Sequence, residues 1–208
     1  MSKRSQQLYI LYFELLHTKD YLEVFLRMFC YMYTITGSNI VYRSLWIVVY
    51  EDQVRKSDGM IGMFNRIKVR DSSVIVPIFK DGSLLMVENY RHGARMNLLE
   101  LPGGLINADE EPRDAAKREL LEETGYECST LEHINWTYTW PGRTTQKNFI
   151  FLAKGLKKRR KPHLEVFEYT KIRKLPKELV IQEIRSGNIK SAISISAILY
   201  TLGECTEY

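Results

Sequence analysis

The sequence predicts a mixed α/β domain whose sheets are largely antiparallel, preceded by an N-terminal helical extension. Three observations lead to this fold class: Val- and Ile-rich runs recur around short glycine-containing turns, one strongly helical segment lies among them, and two helical patterns end the chain. Strands on both sides of a central helix are typical of layered α/β folds. With 208 residues, of which 45% are hydrophobic, the chain can bury the core of such a domain.

The N-terminal extension is assigned to residues 1–38 and the domain to residues 39–208. Residues 8–36 are rich in apolar and aromatic side chains, but charged residues interrupt them, and a membrane-spanning helix needs roughly 20 mostly apolar residues. No membrane span is therefore predicted. We expect one or two amphipathic helices that pack on the domain or on a second subunit. Contact with a membrane surface, or an upstream extension of the reading frame that contributes little, would also fit.

Two pairs of strand-like runs precede the central helix, and a glycine-containing turn joins each pair. Residues 45–55 and 60–69 flank "KSDG" and are predicted to form a hairpin, and residues 73–79 and 83–90 flank "KDG" in the same pattern. Five elements follow the central helix. Strands are predicted at 129–140, 146–156 and 163–172, and helices at 176–186 and 189–202.

The central helix lies in the stretch "PGGLINADEEPRDAAKRELLEETGY", residues 102–126. Pro112 suits the first turn of a helix, where its missing N–H costs nothing, and Gly125 is placed to end the helix. Four apolar residues between them would bury against a sheet: Ala115, Ala116, Leu120 and Leu121.

Three carboxylates crowd onto this helix, since Glu119, Glu122 and Glu123 fall within five positions. Like charges at this spacing destabilise a bare helix, and Arg118 can offset only part of the repulsion through a pair with Glu122 four residues on. The "LPGG" turn directly before the helix lets the backbone come close to the glutamates and expose its carbonyl oxygens. Because carboxylates, carbonyl groups and water are the ligands that Mg²⁺ prefers, we interpret this helix as a metal platform.

Composition and cysteine usage bound the function only loosely. The chain carries 30 basic and 25 acidic residues, a net charge of +5 and a sequence pI of about 9.0, which mildly favours an anionic partner. Its three cysteines, Cys30, Cys128 and Cys205, are widely separated and odd in number. This pattern argues against a disulfide framework or a cysteine zinc site, so a reducing, cytoplasmic location is expected.

The stretch resembles the Nudix hydrolase box over residues 104–126. Gly104 and Glu110 stand at defined positions of the box, "RELLEETG" follows at 118–125, and only Tyr126 departs, where the family usually has an aliphatic residue. The resemblance implies a Nudix-type α/β/α sandwich. It also implies metal-dependent hydrolysis of a nucleoside diphosphate linked to another group, with Mg²⁺ as the cation and Mn²⁺ as an alternative.

The resemblance assigns the catalytic role to the three glutamates. Glu119 and Glu123 are expected to be direct metal ligands, and Glu122 a further ligand or the general base. The carbonyl oxygen of Gly103 is expected to join the metal ligands.

Two other residues of the box are expected to be structural. Glu110 and Arg118 would form an ion pair that holds the loop to the helix, and neither would take part in catalysis. In the mechanism that the resemblance implies, cations neutralise and orient the diphosphate and lower the pKa of a water that attacks phosphorus.

The residues around the box resemble the ADP-ribose pyrophosphatase subgroup. Tyr90 and Arg91 form a Tyr-Arg pair, Glu100 precedes the Pro-Gly turn, and Pro141 matches a proline that marks the subgroup. Arg91, Glu100 and Pro141 are therefore expected to bind substrate, Arg91 through bidentate hydrogen bonds to a phosphate, although a surface arginine would look the same. The resemblance implies cleavage of ADP-ribose, or a related nucleoside diphosphate sugar, to AMP and ribose 5-phosphate by a homodimer.

The sequence departs from that subgroup where the subgroup usually supplies a further glutamate from an acidic loop. Here the stretch reads "KGLKKRRKPHLEV", with a basic run at 157–161, and Glu165 and Glu168 fall on the following predicted strand. The general base therefore stays open. The basic run fits a solvated turn, attraction of a polyanionic substrate or RNA end, or a localisation signal. Nucleic acid is not favoured as a partner, but the basic run leaves it open.

Two alternatives to ADP-ribose hydrolysis are compatible with the sequence. One is a Nudix hydrolase of another dinucleotide, nucleoside diphosphate sugar or triphosphate, and the other is a non-catalytic Nudix module that binds a nucleotide or RNA. The intact glutamates weigh against the module, because a binder has no need for a repulsive metal cluster. Trp46, Tyr138 and Trp140 could stack on a nucleobase, although aromatic residues in strands more often belong to the core.

Overall fold

The computed structural model describes residues 33–163 and 170–203, which form two compact units. The first unit contains residues 33–43 and 48–66. The second contains residues 44–47 together with the described residues from 67 onward.

A three-stranded sheet with the order β1-β2-β3 makes up most of the first unit. Its strands are β1 (Tyr33–Arg43), β2 (Ile47–Lys56) and β3 (Ile61–Val69). The predicted hairpin is confirmed: in the turn between β2 and β3, the N–H of Met60 donates to Asp58 Oδ1 at 3.1 Å.

Strand β1 is absent from the sequence-based prediction, and the helical extension predicted to reach residue 38 is wrong for residues 33–38. The middle of β1 reads "GSN", which resembles a turn, and its pairing with β2 shifts register between Ile35 and Gly37 and again between Ile40 and Tyr42. Such irregularities interrupt the alternation that identifies a strand. The rest of the predicted extension, residues 1–32, lies outside the described residues.

One partly buried ion pair joins all three strands of the first unit. Arg66 on β3 donates from Nε to Asp52 Oδ2 on β2 at 2.7 Å, and Ser38 on β1 donates its hydroxyl to Asp52 Oδ1 at 2.5 Å. The hydrogen bond from Arg66 lowers the pKa of Asp52 below its usual range. The Arg66 guanidinium also lies 4.2 Å from the ring centroid of Tyr50, so the cation is held from two sides.

The second unit is built on a mixed four-stranded sheet with the order β7-β4-β10-β9. Its strands are β4 (Ser72–Pro77), β7 (Gly103–Leu105), β9 (Thr130–Tyr138) and β10 (Lys147–Lys154). Strands β4 and β10 run parallel, and the other two pairings are antiparallel. The predicted strands around "PGRT" are therefore confirmed as an antiparallel pair.

An antiparallel sheet with the order β12-β5-β6 lies in the same unit. Its strands are β5 (Leu84–Arg91), β6 (Met96–Glu100) and β12 (Thr170–Leu175). Strands β4 and β5 follow each other around the "KDG" turn but enter different sheets, and only one bridge, Ile78 to Leu84, connects them beside the turn. A short pair, β8 (Tyr126–Glu127) with β11 (Lys157–Lys158), completes the strands of this unit that the structure describes.

Helices cover both faces of the four-stranded sheet. Helix α1 (Pro112–Glu119) lies on one face. Helices α2 (Lys177–Arg185) and α3 (Ala192–Leu202) lie on the other face, and they confirm the two helices predicted at the C-terminal end of the domain. Successive residues of a strand point to opposite faces, so Ile75 packs with Ala116 of α1, whereas Val74 and Val76 pack with Ile198 of α3. The predicted α/β/α sandwich is confirmed. None of the described helices is long and apolar enough to cross a membrane.

Candidate active site

The glutamates lie on a helix that changes type at its last turn. Helix α1 continues directly into a π-helical turn, Leu120–Thr124. We call residues 119–124, which carry all three glutamates, the glutamate turn. Gly125 then adopts the left-handed conformation with a φ of 72°, which confirms the predicted end of the helix. Each hydrogen bond of a π-helical turn encloses one residue more than in an α-helix, and such turns are frequent at functional sites. The side-chain directions of the three glutamates therefore differ from those of the regular helix that the sequence suggested.

Arg118 lies at the centre of the charged groups. Its Nε donates to Glu110 Oε1 at 2.8 Å, which confirms the predicted structural ion pair, and one terminal nitrogen donates to Glu119 at 2.7 Å and to Glu122 at 3.1 Å. The other terminal nitrogen reaches the carbonyl oxygen of Leu105, in the strand before the helix, at 3.1 Å. These bonds raise the pKa of Arg118, with Glu110 the largest cause, and the reverse contact lowers the pKa of Glu110. Arg118 therefore ties the loop to the helix and offsets part of the carboxylate repulsion.

Glu119 fills the space left by the absent side chain of Gly104. A Cβ built on Gly104 would lie 2.3 Å from Glu119 Oε1, well inside contact distance. The glycine turn therefore lets the backbone of β7 approach a carboxylate of α1, as the "LPGG" pattern predicts. The side chain of Glu119 is 14% exposed, so this carboxylate lies at the base of the site.

Glu123 is the most buried of the three carboxylates and is held by two uncharged donors. The N–H of Gly103 donates to Glu123 Oε2 at 2.9 Å, and Asn89 Nδ2 donates to Glu123 Oε1 at 3.3 Å. Residue Glu123 is 5% exposed. Gly103 thus contacts Glu123 through its N–H, whereas the predicted role of its carbonyl oxygen stays a prediction. Sequence reasoning missed Asn89, although its position two residues after the buried Val87 of β5 gives an indication, since a polar side chain on a buried face needs a partner.

A pocket of about 190 Å³ adjoins the glycine turn. Residues from β5, β6, β7 and the start of α3 line it: Arg91, Glu100, Gly103, Gly104, Ser191 and Ser194. Arg91 Nε donates to Glu100 Oε2 at 2.6 Å, with the arginine side chain 47% exposed and the glutamate largely buried. A guanidinium carries five N–H donors, so this ion pair leaves it able to bind an anion in the pocket. The structure therefore brings two predicted substrate residues, Arg91 and Glu100, together beside Gly103.

The third predicted substrate residue, Pro141, lies in the exposed turn between β9 and β10. Its neighbour Trp140 accepts hydrogen bonds at its carbonyl oxygen from the N–H groups of Arg143 and Thr144, at 3.0 and 2.9 Å. Trp140 is 55% exposed, and Trp46 and Tyr138 are exposed as well. These three aromatic side chains are therefore not core residues, and their predicted role in stacking on a base stays a prediction.

The basic run docks on the C-terminal end of the glutamate turn. Lys158 Nζ donates to the carbonyl oxygen of Thr124 at 2.7 Å, and the N–H of His163 donates to that of Glu122 at 2.8 Å. Arg159 pairs with Glu127 at 2.7 Å. Burial lowers the pKa of Lys158 below its usual value. The basic run therefore contacts the helix that bears the glutamates, while Glu165 and Glu168 lie outside the described residues.

The donor groups suit a hard cation such as Mg²⁺, because two carboxylates, Glu119 and Glu123, meet the glycine turn and a third, Glu122, lies on the same helical segment. Among residues 33–163 and 170–203, however, no group of three or more His, Cys, Asp or Glu side chains converges closely enough to hold a metal ion. Arg118 draws Glu119 and Glu122 toward itself, while Asn89 and Gly103 hold Glu123. Side chains at the end of α1 would therefore have to rotate to share one cation.

Comparison with known proteins agrees with this architecture. The family model described as "NUDIX domain" matches residues 69–184, more than half of the chain. The ADP-ribose pyrophosphatase of Mycobacterium tuberculosis is 32% identical over 166 residues, covering 78% of this chain and 80% of that protein. The methanol dehydrogenase activator of Bacillus methanolicus is 29% identical over 150 residues, covering 72% and 81%. The crystal structure of an ADP compounds hydrolase matches with a TM-score of 0.74 over 81% of this chain and 91% of that chain, at 24% identity, which shows a common fold.

The α/β/α sandwich, the match to the family model and the similarity to an ADP-ribose pyrophosphatase define the protein as a hydrolase. The chain belongs to the Nudix hydrolase family, in which it resembles the ADP-ribose pyrophosphatase subgroup.

Proposed function

We propose that the protein hydrolyses the pyrophosphate bond of ADP-ribose, with Mg²⁺ or Mn²⁺, to give AMP and ribose 5-phosphate. The observation that carries this proposal is the adjacency of the glutamate turn and the Arg91 pocket, both built on the glycine turn of Gly103 and Gly104. Relatives that act on ADP-ribose support the choice of substrate. A related nucleoside diphosphate sugar, a dinucleotide or a triphosphate would carry the same diphosphate group and is the alternative.

The three glutamates would hold the cation, with the carbonyl oxygen of Gly103 as a further ligand. A bound divalent cation would neutralise the diphosphate and make a bound water more acidic. Glu119 and Glu123 lie deepest, so their carboxylates suit direct ligation, whereas the side chain of Glu122 is 36% exposed and can be reached by water. Glu122 is therefore either a further ligand or the general base that removes a proton from the attacking water.

Arg91, Glu100 and Pro141 would bind the substrate. Arg91 would contact a phosphate through terminal N–H groups, while Glu100 keeps the guanidinium aligned through the bond to Nε. Attack of water at phosphorus forms one P–O bond and breaks the bridging P–O bond, and the leaving phosphate takes up the charge. The products are two phosphate monoesters.

The protein would act as a cytoplasmic homodimer. Large apolar residues on the three-stranded sheet and in its β2–β3 turn are exposed, which is unusual for a surface that meets only water. They are Tyr33, Ile35, Ile40, Val41, Tyr42, Met60, Ile61, Met63 and Phe64. A second copy of the chain is the partner that we propose for this surface. The free thiol of Cys128 is consistent with a reducing location.

The test is AMP release from ADP-ribose with Mg²⁺, measured for the wild type, Glu123→Gln and the matched control Glu132→Gln, an exposed glutamate on β9. Loss of a metal ligand removes several kcal/mol of transition-state stabilisation, so Glu123→Gln should lose on the order of 10³-fold in kcat/KM, and the control should keep its activity. Cleavage of another nucleotide in a parallel panel, with ADP-ribose untouched, would replace the substrate. Full activity without divalent metal would overturn the metal assignment.

A further inference from the structure

We propose that Asn89, oriented by Thr170, is a positioning residue that fixes the carboxylate of Glu123 for metal binding. This inference rests on the metal-dependent function proposed above and concerns two residues outside the Nudix box. Thr170 Oγ1 donates to Asn89 Oδ1 at 2.6 Å, and Asn89 Nδ2 donates to Glu123 Oε1 at 3.3 Å. The three side chains form one hydrogen-bonded chain that ends on the most buried glutamate.

The chemistry of the three groups fixes the direction of this chain. An ionised carboxylate only accepts hydrogen bonds, so the amide must turn its nitrogen toward Glu123. The amide oxygen then faces Thr170 and requires a donor, which the hydroxyl group supplies. Thr170 therefore selects the one orientation of Asn89 that can hold Glu123 in its ionised form.

The backbone around Asn89 gives the chain a rigid base. Strand β5 is the central strand of its sheet, and Asn89 pairs directly with Thr170 on β12 and with Leu98 on β6. Asn89 is 6% exposed. A side chain that is locked by neighbouring strands holds a functional group more precisely than one on a loop.

Asn89 and Gly103 give Glu123 two donors that carry no charge. Arg118 contacts Glu119 and Glu122 with a full positive charge, which competes with a cation for the carboxylates. Asn89 and the N–H of Gly103 each donate to one oxygen of Glu123 and so fix the orientation of its carboxylate without adding a positive charge of their own. The geometry therefore makes Glu123 the anchor of the site, and groups behind a ligand commonly set metal affinity.

The experiment measures Mn²⁺ binding to the full chain by electron paramagnetic resonance, without substrate, for the wild type, Glu123→Gln, Asn89→Ala, Thr170→Val and Thr170→Ser. Removing an outer hydrogen-bond partner typically weakens metal binding by about 10-fold or more, so the Kd for Mn²⁺ should rise by about that factor in Asn89→Ala. Thr170→Val should raise the Kd in the same direction, and Thr170→Ser, which keeps the hydroxyl, should restore it. A variant that combines Asn89→Ala with Thr170→Val should have the same Kd for Mn²⁺ as Asn89→Ala alone, because both substitutions act through one contact.

Asn148 provides a matched control for general damage to a buried polar network. It is 4% exposed, accepts from Ser72 at 2.7 Å and donates to Thr139 at 2.9 Å, away from the glutamates. Asn148→Ala should lower the melting temperature but leave the Kd for Mn²⁺ within about twofold of the wild type, since only direct and outer partners of the metal ligands set affinity.

The outcomes separate this inference from the proposed function. Unchanged Mn²⁺ binding in Asn89→Ala and Thr170→Val, or equal weakening in Asn148→Ala, would overturn the positioning role while the metal site stands. If Asn89→Ala does not fold, the comparison of Thr170→Val with Thr170→Ser decides. Absence of Mn²⁺ binding in the wild type, or its persistence in Glu123→Gln, would overturn the metal site and the role of Asn89 together.

Discussion

Lys158 donates a hydrogen bond from Nζ to the carbonyl oxygen of Thr124 at 2.7 Å, so a cation of the basic run closes the C-terminal end of the glutamate turn. Carbonyl groups at a helix end lack partners within the helix and carry the negative end of its dipole. The N–H groups of Arg159 and His163 supply further donors, to Gly125 and Glu122. At least part of the basic run is therefore a cap for the helix that bears the glutamates.

We expect Lys158→Met to lower the free energy of unfolding by about 1 kcal/mol, the usual net value of one hydrogen bond. Methionine keeps much of the aliphatic stem, so the change removes the contacts of Nζ, which are the hydrogen bond to Thr124 and the approach to the Tyr126 ring at 4.7 Å. Lys157→Met is the matched control, because this substitution removes the same charge from the neighbouring exposed position of β11. Urea denaturation of both variants checks the prediction, and equal losses would show that charge alone matters.

Glu110 should make stability depend on pH. The hydrogen bond from Arg118 lowers the pKa of Glu110 from an ordinary value of 4.5. Because the folded state has the lower pKa, the pair contributes fully above the unfolded pKa and loses its contribution as the pH falls through the folded pKa. Glu110→Gln should therefore cost about 1 to 2 kcal/mol of unfolding free energy at pH 7, as expected for a hydrogen bond to a charged group. The difference in unfolding free energy between Glu110→Gln and the wild type should become smaller as the pH falls below 4.5.

The control for this experiment is Glu111→Gln, which removes the neighbouring exposed carboxylate. Its unfolding free energy should follow that of the wild type at both pH values. A Glu110→Gln gap that is the same at pH 7 and well below the unfolded pKa would mean that shape rather than charge stabilises this contact.

Two glycines of the box should fail in different ways when changed to alanine. At Gly104 the three atoms nearest a Cβ belong to the flexible end of Glu119, so Gly104→Ala should keep the free energy of unfolding within about 1 kcal/mol of the wild type. Displacing a catalytic carboxylate should nevertheless lower kcat by about 10-fold or more. At Gly125 the φ of 72° and the Arg160 carbonyl oxygen, 2.1 Å from a Cβ, exclude alanine. Gly125→Ala should therefore cost at least about 2 kcal/mol. Thermal melts measure the stability of both variants, and initial rates measure their activity. A large loss of stability in Gly104→Ala, or none in Gly125→Ala, would contradict the prediction.

The sequence predicts the parts of this fold whose signals are local. Pro112 and Gly125 bound the helix, and hydrophobic alternation finds most strands, because each depends on the conformational preference of a few residues. Sheet membership is not local: the "KDG" turn connects two strands that pair with partners far along the chain. Strand β1 escapes prediction for a related reason, since its pairing with β2 accommodates irregularities that break its own pattern.

The site follows the same division. Arg118 and the three glutamates lie within six positions of the helix, so spacing identifies them and their ion pairs. Asn89 and Thr170 are separated by 81 positions and meet only through the pairing of β5 with β12, which no local pattern specifies. The π-helical turn is equally hidden, because its residues have the same apolar periodicity as the α-helix that precedes them.

Phe64 should contribute to the proposed dimer surface. It is 46% exposed on β3, and its ring centroid lies 5.9 Å from that of Tyr33, which is also exposed. Placing a charge there should oppose burial against a second copy. We expect the wild type to scatter light as a dimer at micromolar concentration and Phe64→Asp as a monomer. Asn97→Asp, which adds the same charge at an exposed position of β6, outside the three-stranded sheet, should remain a dimer. A monomeric wild type would contradict the proposal.

Arg91 and Glu100 should affect substrate binding more than chemistry. A charge-assisted hydrogen bond is worth about 1.5 to 3 kcal/mol, so Arg91→Ala should raise KM for ADP-ribose by about 10- to 100-fold. Arg91→Lys should recover only part of this, because an ammonium group lacks the planar fork that binds a phosphate through two donors. Glu100→Gln removes the charge that aligns Nε at 2.6 Å and should raise KM in the same direction by a smaller factor.

The split between the two kinetic constants makes the Arg91 prediction specific. If the arginine binds the ground state and the transition state equally, KM rises while kcat stays nearly constant. A fall in kcat at unchanged KM would instead place the guanidinium on charge that develops during the reaction, and the pocket would then be part of the catalytic centre. Steady-state kinetics at two ionic strengths would also show whether the effect is a direct contact, because screening weakens long-range attraction far more than a hydrogen-bonded pair.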